Sequence, residues 1–156
     1  MNRESCYKEI KQQACALFGK EDDLIARMAN LSALLYRGIP NVNWAGFYRK
    51  IDYQLILGPF QGKPACTPIA IGKGVCGCCA ETLQIQCVAN VHEYPGHIAC
   101  DAESKSEIVL PIIIKDTLLG VLDIDSDVYG NFDKVDIDHL KEIIDIMLHH
   151  NTCENR

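Results

Sequence analysis

Two apolar runs late in the chain carry three acids at positions where acids are costly. In "LLGVLDIDS", Leu119, Val121, Asp123 and Asp125 alternate with Leu118, Gly120, Leu122 and Ile124. On a strand, that spacing turns Asp123 and Asp125 to one face. Glu107 opens the preceding run, "SEIVLP", and a turn at Lys115-Asp116-Thr117 folds the two runs into a hairpin. Three carboxylates at one end of an apolar hairpin repel one another unless one keeps its proton or all share a cation. Such a group suits general acid chemistry or capture of a ligand ammonium. The competing reading is a solvated strand end at which "DIDS" turns the chain. Trp44 and Tyr48 share a face of an earlier alternating stretch, "NVNWAGFYRK". They form either an aromatic wall for a small cation or zwitterion, or ordinary core.

The chain also has nine cysteines: 6, 15, 66, 76, 78, 79, 87, 100 and 153. The odd count and the lack of an export signal argue against a disulfide framework. Cys66 and Cys100 sit in polar loops outside any apolar periodicity, which suits reactive thiols. Cys76, Cys78 and Cys79 follow a glycine turn at a helix start, where N–H dipoles favour a thiolate. Cys15 and Cys87 fit small buried side chains, and Cys78 and Cys79 fit helix packing. Cys6 and Cys153 read as incidental residues near the termini. A zinc site would draw on Cys76, Cys79, His92 or His97, and Cys100. The single C-x-x-C has no matching second pair, so no metal is assigned. His92 and His97 suit thiol activation or structural hydrogen bonds in a loop.

Elements must hold these groups in place. Tyr7, Ile10, Ala14, Leu17 and Phe18 recur at helical spacing. A second helix follows Asp22-Asp23 and ends at Gly38 and Pro40. The middle alternates as strands, interrupted by a short helix near 75–83 and an irregular segment near 91–105. Asp133 caps a closing helix with Leu140, Ile143, Ile144 and Met147 inward. The pattern predicts an α+β fold with the terminal helices packed together on one sheet face. The irregular segments, with Cys100, then cover the other.

The 156 residues suit one domain over 1–156. A net charge of −6 without any basic stripe argues against nucleic acid or an anionic membrane as partner. No signal peptide or spanning segment is read, so a soluble, cytoplasmic protein is expected.

"NWAGFY", "LGPFQGKPAC", "GKGVCG", "GHIACD", "SEIVLP" and "GVLDIDS" resemble, in order and spacing, the free methionine-(R)-sulfoxide reductases, a branch of the GAF domain family. The resemblance implies a six-stranded antiparallel sheet flanked by helices and an oxidoreductase acting on the free amino acid. It implies Cys100 as nucleophile, Cys66 as resolving thiol and Cys76 as a further redox-active residue. Trp44, Tyr48, Glu107, Asp123 and Asp125 correspond to the substrate pocket. No metal or organic cofactor is implied, only an external dithiol such as thioredoxin, and a homodimer fits the family. Cys78, Cys79 and Cys87 depart from the family pattern. The rival expectation is a non-enzymatic GAF module sensing a small ligand or redox state.

Overall fold

The computed structural model describes residues 2–98, 100–149 and 153. Helices α1 (Arg3–Phe18) and α2 (Leu24–Gly38) lead into strands β1 (Val42–Ile51), β2 (Gln54–Gly62) and β3 (Ile69–Ala70). Helix α3 (Gly74–Thr82) and a short edge strand β4 (Gln86–Val88) follow. Then come β5 (Ser106–Ile114), β6 (Thr117–Ser126) and α4 (Lys134–Leu148). All pairings are antiparallel, in the order β3-β2-β1-β6-β5-β4. Between β5 and β6, Ile114 pairs with Thr117 across Lys115 and Asp116, both in the left-handed region. That is the two-residue turn whose twist matches a hairpin.

The sheet has two dissimilar faces. On one, Ala45, Phe47, Ile108, Leu110, Ile112, Leu122 and Ile124 meet the inner sides of α1, α2 and α4 in the larger core. Each large side chain buried there contributes about 1.5–3 kcal/mol of transfer free energy. The expected packing of terminal helices is present, and polar contacts fix it. Tyr7 donates its hydroxyl to Asp136 Oδ1 at 2.7 Å, and Arg3 pairs with the same carboxylate at 3.4 Å. Asp136 also accepts from the Asp133 backbone N–H, completing a capping box that starts α4.

The opposite face is smaller and mixed. Trp44, Tyr48, Val109 and Val121 pack against Val75, Cys76, Cys79 and Ala80 of α3. Because α3 covers only part of this face, Lys63, Pro64 and Ala65 of one loop and His97, Ile98, Cys100, Asp101 and Ser104 of another border the remaining area. Among the described residues no helix is long and apolar enough to cross a membrane.

Candidate active site

Two rows across the sheet form the floor. One runs Trp44, Asp125, Glu107 and the next Gly46, Asp123, Val109, set by the β1–β6 and β5–β6 registers. Strand alternation gathers Asp123 and Asp125, predicted to share a face, and a register shift between Ile112 and Ile113 brings Glu107 on the pairing strand opposite Asp125. At Gly46 the missing side chain gives Phe60 and the Trp44 ring room to pack. A Cβ there would lie 2.4 Å from Phe60 Cβ and 2.8 Å from the Trp44 ring.

Burial dominates the electrostatics. Glu107 and Asp123 are each 6% exposed. Desolvation holds the proton affinities of Glu107, Asp123 and Asp125 well above the ordinary carboxylate range, and mutual repulsion adds to it. Asp125 adds to the repulsion at Glu107, and Glu107 to that at Asp123. Among the described residues no lysine or arginine forms an ion pair with any of the three. The neighbour of opposite potential is His97, whose Nε2 lies 3.6 Å from Glu107 Oε2. Burial lowers the proton affinity of that imidazole and so favours its neutral form. Asp123 Oδ1 is buried without a hydrogen-bond partner.

The thiols stand at two levels. Cys66 and Cys100 are joined by a disulfide with Cα atoms 5.7 Å apart. Cys100 lies in the wall of a cavity of about 50 Å³ whose floor is the acid group. The loop bearing Cys66 is held from below by the two aromatic residues of β1. Tyr48 donates its hydroxyl to the Cys66 carbonyl at 2.9 Å, and Trp44 donates its indole N–H to the Lys63 carbonyl at 3.0 Å. Trp44 stacks between Tyr48 and Phe60, with centroids 6.0 and 5.4 Å away. Lys63 then bridges the two loops, 2.7 Å from Glu103 and 3.7 Å from Asp101.

A scan against protein-family models matches the GAF domain over residues 3–147. The chain is 47% identical over 144 residues to the Escherichia coli protein named free methionine-R-sulfoxide reductase, covering 92% of this chain and 87% of that one. It is 43% identical over 151 residues to the Saccharomyces cerevisiae protein of the same name, covering 92% and 84%. The solved structure of fRMsr of Staphylococcus aureus in complex with substrate is 48% identical, with a TM-score of 0.87 over 93% of this chain and 95% of that one. The chain belongs to the free methionine-(R)-sulfoxide reductase family of GAF-domain proteins.

For a member of this family, several thiol expectations need correction. Cys76 does not have the lowered thiol that a helix start suggests. It is 5% exposed, and burial pushes its thiol well above its usual value, with Asp123 and Glu107 adding to the rise. Its Sγ–H points to Glu107 Oε1 at 3.9 Å. The dipole effect of a nine-residue helix is outweighed by two acids and the loss of water. Cys15 is not a simple packing residue but is bonded to Cys153, so neither is incidental. Cys6 is buried on α1. Cys87 is exposed, because β4 is an edge strand of three residues that covers little. Cys79 is buried as expected and directs Sγ to the Val109 carbonyl at 3.7 Å, with its thiol pushed up to about 12. Cys78 is half-buried. The donor set weighed for zinc is dispersed: Cys79 faces the Val109 carbonyl, His92 is exposed beside Tyr129, and Cys100 is disulfide-bonded. His97 was weighed from the sequence as a thiol activator, a zinc ligand or a loop hydrogen-bonder but not as a partner of Glu107, and Lys63 was not singled out. His97 follows Gly96 in a stretch without periodicity, and only its nearness to Cys100 in the chain hinted at it.

Proposed function

We propose that this chain reduces free methionine-(R)-sulfoxide to methionine, with Cys100 as nucleophile and Cys66 as resolving thiol. The observation that carries this reading is the Cys66–Cys100 bond at the wall of a cavity floored by Glu107, Asp123 and Asp125. In the reduced enzyme the Cys100 thiolate attacks the sulfoxide sulfur. The sulfoxide oxygen leaves sulfur only once protonated. The Glu107–Asp123 pair, kept from full ionisation by burial, supplies that proton, a contribution of about 10²–10⁴-fold. The protonated oxygen then moves from the substrate sulfur to Cys100 as the bond between the two sulfurs breaks, leaving a sulfenic acid on Cys100 and releasing methionine. Cys66 then displaces it as water, forming the disulfide. The sum converts one sulfoxide and two thiols to one thioether, one disulfide and one water.

The substrate ammonium pairs with the residual negative charge at Asp125, beside Trp44 in the same row. The Trp44 face lies against the methyl end. Cys76, bonded to Glu107, holds the acid in position and stands apart from the first exchange. An external dithiol of the thioredoxin type returns Cys66 and Cys100 to thiols. That step suits a reducing, cytoplasmic setting, and the cycle as written uses no metal or organic cofactor. The test is consumption of each methionine sulfoxide epimer with dithiothreitol. Catalytic loss of the R epimer alone supports the reading, whereas stoichiometric binding without turnover replaces it with a sensor.

A further inference from the structure

One group of side chains has donor chemistry that sulfoxide reduction does not use. Cys76 Sγ, a Glu107 oxygen and an Asp123 oxygen lie within 4.8 Å of one another. All three residues are more than nine-tenths buried and line the cavity, and Asp123 Oδ1 has no hydrogen-bond partner. His97 Nε2 stands at the rim, 3.6 Å from the second Glu107 oxygen. One sulfur, two carboxylate oxygens and a nearby imidazole are the ligand types of tetrahedral zinc. Zinc–ligand bonds of about 2.0–2.3 Å place ligand atoms roughly 3.5 Å apart, so the 3.9 Å Cys76–Glu107 contact must close by a few tenths of an ångström and no pair by more than about 1.3 Å. Magnesium and calcium fit poorly, since they require six or more oxygens and gain nothing from a thiol.

We propose that Cys76, Glu107 and Asp123 form an inhibitory site for a thiophilic divalent cation of the zinc and cadmium class. The cation displaces the Cys76 proton and the proton shared by the acids, and occupies the floor of the cavity. Because Cys76 is outside the Cys66–Cys100 bond, binding does not require that bond to open. Inhibition rests on the reductase reading, but binding does not.

The first experiment titrates Cd²⁺ into Cys78→Ser/Cys87→Ser protein with its Cys66–Cys100 bond intact, following the ultraviolet cadmium–thiolate band. One equivalent should bind. The band should vanish on adding Cys76→Ser, binding should weaken at least tenfold with Glu107→Gln or Asp123→Asn, and methionine-(R)-sulfoxide should displace the metal. No band at stoichiometric Cd²⁺, or a band that survives Cys76→Ser, overturns the site. The second measures single-turnover methionine formation by reduced protein freed of reductant, with Zn²⁺ varied. Inhibition relieved by excess sulfoxide supports the inhibitory role, and inhibition unaffected by it overturns that role. A chain that binds Cd²⁺ as described yet never forms methionine refutes the reductase reading and leaves the metal site standing.

Discussion

At the scale of residues, the site combines an exposed sulfur with acids deprived of water. Cys100→Ser should abolish turnover. Cys66→Ser should still release one equivalent of methionine and leave a sulfenic acid that dimedone traps, as mass spectrometry will show. Glu107→Gln and Asp123→Asn should lower kcat/KM by more than tenfold, measured by methionine release. The same substitutions should raise stability at neutral pH. The unfolded chain releases carboxyl protons near pH 4, about 3.9 for Asp and 4.3 for Glu. The folded chain holds them to higher pH because burial raises their affinity. The unfolded state therefore carries fewer protons above that range, and wild-type stability falls as pH rises toward the folded values. An amide does not titrate, so the variant's gain in Tm should be present at pH 7 and absent below about pH 4. Activity and stability are opposed at these positions.

Elements convert residue chemistry into geometry, and the strands do so most directly. Gly46→Ala should tilt Trp44 or Phe60, since its methyl would collide with both. The expected result is a KM raised by several-fold with a smaller change in kcat. At α4, Asp133→Ala removes a cap that accepts from Val135 N–H at 2.7 Å and should cost about 1 kcal/mol in urea unfolding. Strand alternation explains why the aspartate pair was legible in the sequence. A period of two puts Asp123 and Asp125 on one face whatever else packs there, but a two-residue hairpin alone would set Glu107 opposite Ile124; a bulge between Ile112 and Ile113, which the sequence does not announce, shifts the register and leaves Glu107 opposite Asp125. The loops lacked any such rule. His97 reaches Glu107 through a segment of 3-10 turn and bends, and Lys63 spans to Glu103 across forty residues of chain. Cys76 was assigned to the right helix, but its burial depends on α3 lying over Asp123, a tertiary contact that spacing does not encode.

At the scale of the molecule, a second disulfide ties α1 to the far end of the chain. Cys15 and Cys153 are 138 residues apart in sequence, and no pattern along the chain pairs them. Closing so long a loop restricts the unfolded ensemble, by about 5 kcal/mol on the chain-entropy account. Under oxidising conditions Cys153→Ser should therefore lower Tm. In a Cys66→Ser/Cys100→Ser background, added reductant should lower Tm to the same value and leave the Cys153→Ser form unchanged. The fold class was legible because helix and strand periods are separate along the chain and each apolar face has a clear side. The partition of cysteines into bonded, buried and exposed was not, since all nine are of one residue type and only the folded neighbours distinguish them.

The two unlike faces of the sheet have a practical consequence. The helical side buries most of the large aliphatic residues and anchors α4 through Tyr7 and Arg3, while the reactive side relies on Trp44, Tyr48, loops and one short helix. A library that randomises the segments at 63–68 and 95–104, with β1, β5 and β6 left intact, should retain cooperative unfolding in most clones. The scaffold would then serve as a starting point for selecting new small-molecule receptors, in which the sunken acids act as a ready anchor for amines.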